Sequence, residues 1–214
     1  MKKYGSQIRQ TALAVSLAAL AAGTTARADY SNTVASFNPV GYWRLNETTQ
    51  PPPGDVATNV GYVGATGYGV YLNGATHPTV GALVGSADTA ATFNGTGAEV
   101  SVPFAPGLNR SGPFTAEFWA RPASTTIGAT PFSSTDFSIS VANIRKGWLF
   151  YNSAITAGQW TFRVYKPSNA NVQVTGGVVS GAWQHVAGVY DGMNVALYVD
   201  GVLVGSAPLV LCLS

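Results

Sequence analysis

The residues best placed to do chemistry lie in one short run, Phe114 to Arg121. A β-strand sends alternate side chains to opposite faces. Phe114, Ala116, Phe118 and Ala120 then share a face with the size and polarity of a core. Glu117, Trp119 and Arg121 share the other. An indole beside a carboxylate and a guanidinium can stack on a sugar ring and bond its hydroxyls. These three residues form the candidate ligand-binding set. The competing assignment is structural, with Trp119 packed under a loop and Glu117 and Arg121 joined as a surface ion pair. Trp43, Trp148, Trp160 and Trp183 recur in strand-like runs with mixed neighbours and are assigned to packing.

Hydrolytic chemistry finds less support. A retaining glycosidase needs two carboxyl groups ~5 to 5.5 Å apart, which acids at alternate positions of one strand can supply. The nine acids are Asp29, Glu47, Asp55, Asp88, Glu99, Glu117, Asp136, Asp191 and Asp200, and none lies two residues from another. There is no Gly-x-Ser-x-Gly elbow to present a nucleophile. The two histidines are His77 and His185, and the latter reads as a strand histidine with a solvated tip. The single cysteine, Cys212, cannot close an internal disulfide and is assigned to the accident of its position near the end. No catalytic residue is assigned.

No cofactor is assigned either. No His/Cys cluster suggests zinc. Calcium alone finds oxygen donors in turns of a suitable kind, at Asp88, Asn94 and Asp191. No motif fixes their mutual distances, and Asp-Gly is explained by turn geometry.

The elements that must hold Phe114 to Arg121 are strands. The clearest are in Trp183 to Ser206, which reads as a three-stranded meander. Val186, Gly188 and Tyr190 point one way and His185, Ala187 and Val189 the other. Asp191-Gly192 and Asp200-Gly201 each sit between strand-like runs, the pattern of a type I′ hairpin turn. Val195 to Val199 and Val202 to Val204 are the strands between and after them.

Further strands are expected at Val40 to Leu45, Phe132 to Asn143, Trp148 to Tyr151, Trp160 to Tyr165 and Val172 to Thr175. Ala90 to Phe93 and Glu99 to Val102 are expected to pair about the turn Asn94 to Gly97. Pro51-Pro52-Pro53 cannot donate to a ladder and marks an exposed loop. Val56 to Ala87 has no charged residue and many glycines, and reads as an ordered loop. Short strands are expected within it, around Val70 to Leu72 and Gly81 to Val84. No fixed internal period points to a propeller or solenoid.

Five of these stretches, in this order, resemble laminin G-like domains of the concanavalin A-like lectin/glucanase superfamily. They are VGYWRLNE (Val40 to Glu47), GALVGSADTAATFNGTGAEVSVP (Gly81 to Pro103), PFTAEFWARP (Pro113 to Pro122), GWLFYN (Gly147 to Asn152) and the meander. The resemblance implies an all-β, antiparallel jelly-roll sandwich. It also implies that Val40 to Leu45 lies inside a sheet, beside a final strand. Here Leu209 to Ser214 shows neither alternation nor turn chemistry, so that final strand is expected to be missing. The fold hosts lectins, adhesion modules, glycosidases and spacers, so it does not dictate function.

Residues 1–28 read as a signal peptide. Lys2, Lys3 and Arg9 supply a basic start, Thr11 to Gly23 is uncharged and rich in Ala and Leu, and Ala26-Arg27-Ala28 offers a cleavage site before Asp29. The apolar run is short of the ~20 residues a spanning helix needs. Four of the 11 Lys and Arg residues fall in this segment, so seven bases face nine acids in residues 29–214. The exported domain is mildly acidic and lacks the clustered basic face that nucleic acid requires. Three Asn-x-Ser/Thr triplets, at Asn46, Asn94 and Asn109, are potential glycosylation acceptors.

The expectation is a secreted or cell-surface domain, residues 29–214, that binds an extracellular glycan or surface protein. It binds neither nucleic acid nor, after cleavage, a membrane. The rivals are a glycan hydrolase with atypically placed carboxylates and a ligand-free spacer.

Overall fold

The computed structural model describes residues 30–48, 55–108, 110, 112–136, 146–153, 155–166 and 170–209. The signal segment, its cleavage pair Ala28 and Asp29, Pro51 to Pro53, Asn109 and Cys212 lie outside the described residues. Up to Pro39 the chain forms a separate unit, in which Tyr30–Ser36 is a short helix, α1.

From Val40 onward the fold is an antiparallel β-sandwich of the jelly-roll class. Its first sheet is built from β6 (Phe114–Ala120), β11 (Gln184–Tyr190), β12 (Asn194–Val199) and β13 (Val202–Pro208), in the order β13-β12-β11-β6. Its second has the order β10-β9-β8-β7, from β7 (Ser133–Asp136), β8 (Lys146–Asn152), β9 (Gln159–Tyr165) and β10 (Asn171–Val178). Period-2 patterning decides which face each strand buries. Val186, Tyr190, Val195, Leu197 and Val199 of the first sheet meet Phe150, Trp160, Phe162, Val164 and Val174 of the second in one core.

Aromatic rings fill most of that core. Phe150 and Phe162 stack with centroids 4.6 Å apart, and Phe118 meets Phe150 edge-on at 4.9 Å. Gly188 is required where these rings press on β11. A Cβ there would lie 2.6 Å from Phe162 Cδ1 and 2.7 Å from Phe150 Cζ.

Two smaller sheets precede the sandwich strands. β1 (Val56–Ala57), β2 (Gly69–Leu72) and β5 (Glu99–Ser101) run in the order β1-β2-β5, and β3 (Thr76–Val80) pairs with β4 (Thr89–Thr92). They enclose a second apolar cluster of Ala57, Tyr71 and Ala75, against which Trp43, Leu45 and Val100 pack.

Four local expectations are corrected. Val40 to Leu45 is not a strand; only an isolated bridge, Trp43 to Asn59, forms there. Its ladder is broken: Tyr42 N donates to the Asn59 side chain (2.7 Å), Tyr42 O and Val40 O accept from Val60 N and Val63 N of a loop, and Leu45 turns to φ +53°. Gly81 to Val84 is likewise not a strand, because the preceding Thr76–Val80 takes the pairing.

β4 and β5 exist but do not pair with each other; β4 pairs with β3 and β5 with β2. Asn94 closes the chain between them into a compact loop. Its Oδ1 accepts from Thr96 N and Ala98 N, and its Nδ2 donates to Asn73 O. Finally, Asp191-Gly192 is not a two-residue type I′ turn. Asp191, Gly192 and Met193 form a three-residue connection in which Asp191 Oδ1 accepts from Met193 N and Asn194 N. Asp200-Gly201 does have φ > 0 at both positions (+51° and +78°), as a type I′ turn requires. Of the expected strand Phe132 to Asn143, Ser133–Asp136 is formed and 137–143 lie outside the described residues.

Candidate functional site

The outer face of the first sheet carries the predicted residues. On β6 the inward positions Ala116 and Phe118 enter the core, so Glu117 and Trp119 face outward and Arg121 follows the strand end. β11 runs antiparallel beside it, with His185 opposite Trp119 and Ala187 opposite Glu117. The Trp119 and His185 rings lie 5.3 Å apart, tilted by 46°. His185 Nε2 is 3.5 Å from Glu117 Oε2.

Sequence reasoning missed two members. Trp183, assigned to packing, lies outside both apolar clusters, and the Arg121 guanidinium carbon sits 5.4 Å from the centre of its ring. Such a cation over an indole face is favourable by about 0.5–1 kcal/mol at an exposed site. His185 is the other. Its side chain is 21% exposed, and its Nε2 is shut off from solvent rather than solvated at the tip. The ion pair proposed between Glu117 and Arg121 is replaced by these two contacts.

Neighbouring elements hold the set in place. The β12–β13 turn is stitched to the backbone of His185: its N donates to Asp200 Oδ1 (2.9 Å) and its carbonyl accepts from Asp200 N (2.8 Å). Between Trp183 and His185, buried Gln184 points inward. Its Oε1 accepts from Trp160 Nε1 and Ser180 N, and its Nε2 donates to Val178 O. One strand start is therefore fixed on the core side while its two outward rings face β6.

Glu117 is the sole carboxylate contributed by strands β6, β11 and β12. Among the described residues, no group of three or more His, Cys, Asp or Glu side chains gathers in metal-binding geometry.

The three residues considered for calcium are separately engaged. Asp88 receives hydrogen bonds from the Arg44 guanidinium and from Asn46 Nδ2. The Arg44 bond holds its carboxyl below the ordinary value, against a smaller opposing effect of burial. Asn94 and Asp191 each accept backbone N–H groups of their own loops. Those bonds, from Asn194 first, also lower the Asp191 carboxyl.

A second polar group, around the smaller sheets, was also missed. Tyr71 donates to Glu47 Oε2 at 2.7 Å, and its ring lies 4.9 Å from that of buried His77. His77 Nε2 is 3.7 Å from Asp55 Oδ2. Burial, then the bond to Glu47, holds the Tyr71 phenol well above its ordinary pKa. These residues are widely spaced in sequence, so no local pattern announced them.

A family model described as the concanavalin A-like lectin/glucanases superfamily matches residues 93–211. The chain belongs to that superfamily. The match begins at Phe93, just before β5, and includes every strand of the two main sheets.

Among solved structures that the chain matches is an S-layer domain-containing protein from Clostridium thermocellum. It is 20% identical, with a TM-score of 0.45, and the match covers 79% of this chain and 72% of that one. Another is the binding domain of Paraclostridial Mosquitocidal Protein 1, 13% identical with a TM-score of 0.35, covering 76% of this chain and 36% of that one. Curated proteins gave no match.

Proposed function

We propose that this superfamily member is an exported, non-catalytic module that binds carbohydrate on the outer face of β6 and β11. The observation that carries the reading is the cluster formed by Trp119 and His185 with Glu117 and Arg121. Aromatic faces suit the apolar side of a sugar ring, while the carboxylate and guanidinium suit its hydroxyls. Strands β6, β11 and β12 contribute one carboxylate to this face, where a retaining hydrolase sets two on its cleft, which supports the non-catalytic reading. The signal-like segment at residues 1–28 supports export, to the medium or the cell surface, with an extracellular glycan as partner.

A glycan array with residues 29–214 and its Trp119→Ala variant tests the reading. Weak binding that depends on Trp119, with no reducing ends released from the bound glycans, supports it. Reducing-end release abolished by Glu117→Gln would establish the hydrolase reading instead. Absence of any binding would favour a spacer.

A further inference from the structure

A second polar-aromatic cluster lies on the outer face of the other sheet. Arg163 in β9 stands opposite Gln173 in β10 and Leu149 in β8. Its Nε and Nη2 donate to the same oxygen, Gln173 Oε1, at 3.1 and 2.5 Å. Nη1 reaches the hydroxyls of Tyr151 at 3.5 Å and Tyr165 at 3.4 Å. The guanidinium carbon lies 5.2 Å from the centre of the Tyr151 ring. Among the described residues, Arg163 forms no ion pair with an acid.

That is an unusual way to hold a cation. Among the described residues every partner of Arg163 is neutral, so they orient its charge without neutralising it. Leu149, its cross-strand neighbour on β8, is 1% exposed, whereas Gln173 is open to solvent. A partly buried charge interacts more strongly with a counter-ion than one in free water. Gln173 occupies one edge of the guanidinium fork. The Nη1–Nη2 edge is engaged only through the long Nη1 bonds to Tyr151 and Tyr165, which a carboxylate spanning Nη1 and Nη2 can displace. Tyr151 accepts from Nη1 and retains its own O–H proton to donate.

We propose that Arg163, Tyr151 and Gln173 form a second binding site, which takes the carboxylate of an acidic sugar such as a uronate. The guanidinium grips the carboxylate through its Nη1–Nη2 edge in place of the long tyrosine contacts, and the Tyr151 hydroxyl adds a donor. The Gln173 amide and exposed Asn171 beside it offer hydrogen-bonding partners for ring hydroxyls, which favours a saccharide over an apolar acid. The site is on the opposite sheet from Trp119 and does not depend on that reading.

The test is titration calorimetry of residues 29–214 with a tetrasaccharide of alternating glucuronate and N-acetylglucosamine. Its carboxyl-reduced form and inorganic sulfate serve as comparison probes. The uronate oligosaccharide should bind at least ~10-fold more tightly than the reduced form, as loss of a charge-assisted bidentate contact implies. Arg163→Gln should remove that preference, and Arg163→Lys should restore only part of it. Tyr151→Phe, which keeps the ring and hence the packing, should weaken binding ~3- to 10-fold. Trp119→Ala should leave the uronate preference intact. Equal binding of the uronate and reduced forms would overturn the proposal. So would an unchanged preference in Arg163→Gln, or binding of sulfate without the uronate.

Discussion

Trp119 and His185 occupy directly opposed positions of antiparallel strands, with ring centroids 5.3 Å apart. Neither ring belongs to the core, which the intervening residues Phe118 and Val186 enter from the same pair of strands. Two adjoining outward rings make a wider apolar platform than one. Glu117 and Arg121 lie on the Trp119 side of that platform, and Trp183 extends it along β11.

Replacing Trp119 removes half of this platform without entering the core. Trp119→Ala should weaken binding of an array-selected glycan by about 10-fold, in line with one aromatic stacking contact. His185→Ala should weaken it by less. Both rings are half-buried, so both variants should also melt somewhat below the parent, and binding is read well below each Tm. A Trp119→Ala protein that binds unchanged would move the site elsewhere.

Gly188 sets a limit on the core. Adding one methyl there forces it against Phe150 and Phe162, whose rings are themselves stacked. Overpacking of this kind costs about 1–3 kcal/mol. Gly188→Ala should lower the denaturant midpoint accordingly, with little change in the slope. A variant as stable as the parent would show that the two sheets separate more easily than their packing suggests.

Asp88 provides a pH signature. Its folded-state pKa is lowered, first by the hydrogen bond from Arg44. The stabilisation is therefore complete above the ordinary carboxylate pKa of ~4 and is lost as pH falls through the lower folded value. Both side chains are about a third exposed, so the pair contributes no more than about 1 kcal/mol. Asp88→Asn should lower Tm at pH 7 by about 2–4 °C. That gap should close as the parent is titrated below pH ~4; a gap that persisted in acid would assign the effect to shape rather than charge.

Export is checked directly. The Ala26-Arg27-Ala28 sequence predicts a mature chain that begins at Asp29. N-terminal sequencing of secreted material reads the junction, and a chain starting at Met1 would refute cleavage.

Alternation made the sandwich legible before its coordinates were known. In Phe114 to Ala120 and Gln184 to Tyr190, every second residue is core-like, and the outward set follows by parity. The same parity, carried back one step from His185, places Trp183 outward, so that signal was present and went unused. What could not be read was pairing between strands distant in sequence. β4 and β5 are separated by a short Asn-Gly loop that looks like a hairpin, yet each pairs with an earlier strand. Asn94 satisfies its own loop's N–H groups, and local turn residues do not reveal such a choice. Val40 to Leu45 differs for a related reason: the Asn59 side chain takes the N–H of Tyr42, and the Tyr42 carbonyl accepts from Val60 of a loop rather than from a strand.

The β12–β13 turn links folding to the candidate site. Asp200 sits at φ +51°, a left-handed conformation that Asn and Asp adopt more readily than other non-glycine residues. Its Oδ1 also accepts from His185 N, which lies at the end of β11 that carries the outward rings. Asp200→Asn keeps both the conformational tolerance and an acceptor oxygen, and should leave stability and glycan binding near those of the parent. Asp200→Ala loses both. The strain and the lost bond together should cost about 2 kcal/mol. Gly201→Ala separates the two effects, because an added Cβ meets nothing within 4 Å while φ remains +78°. It should destabilise the turn by about 1 kcal/mol yet preserve the bond to His185. Glycan binding, measured well below each variant's Tm, should therefore fall in Asp200→Ala and hold in Gly201→Ala. Equal binding in the two variants would show that Asp200 supports the turn alone and does not position His185.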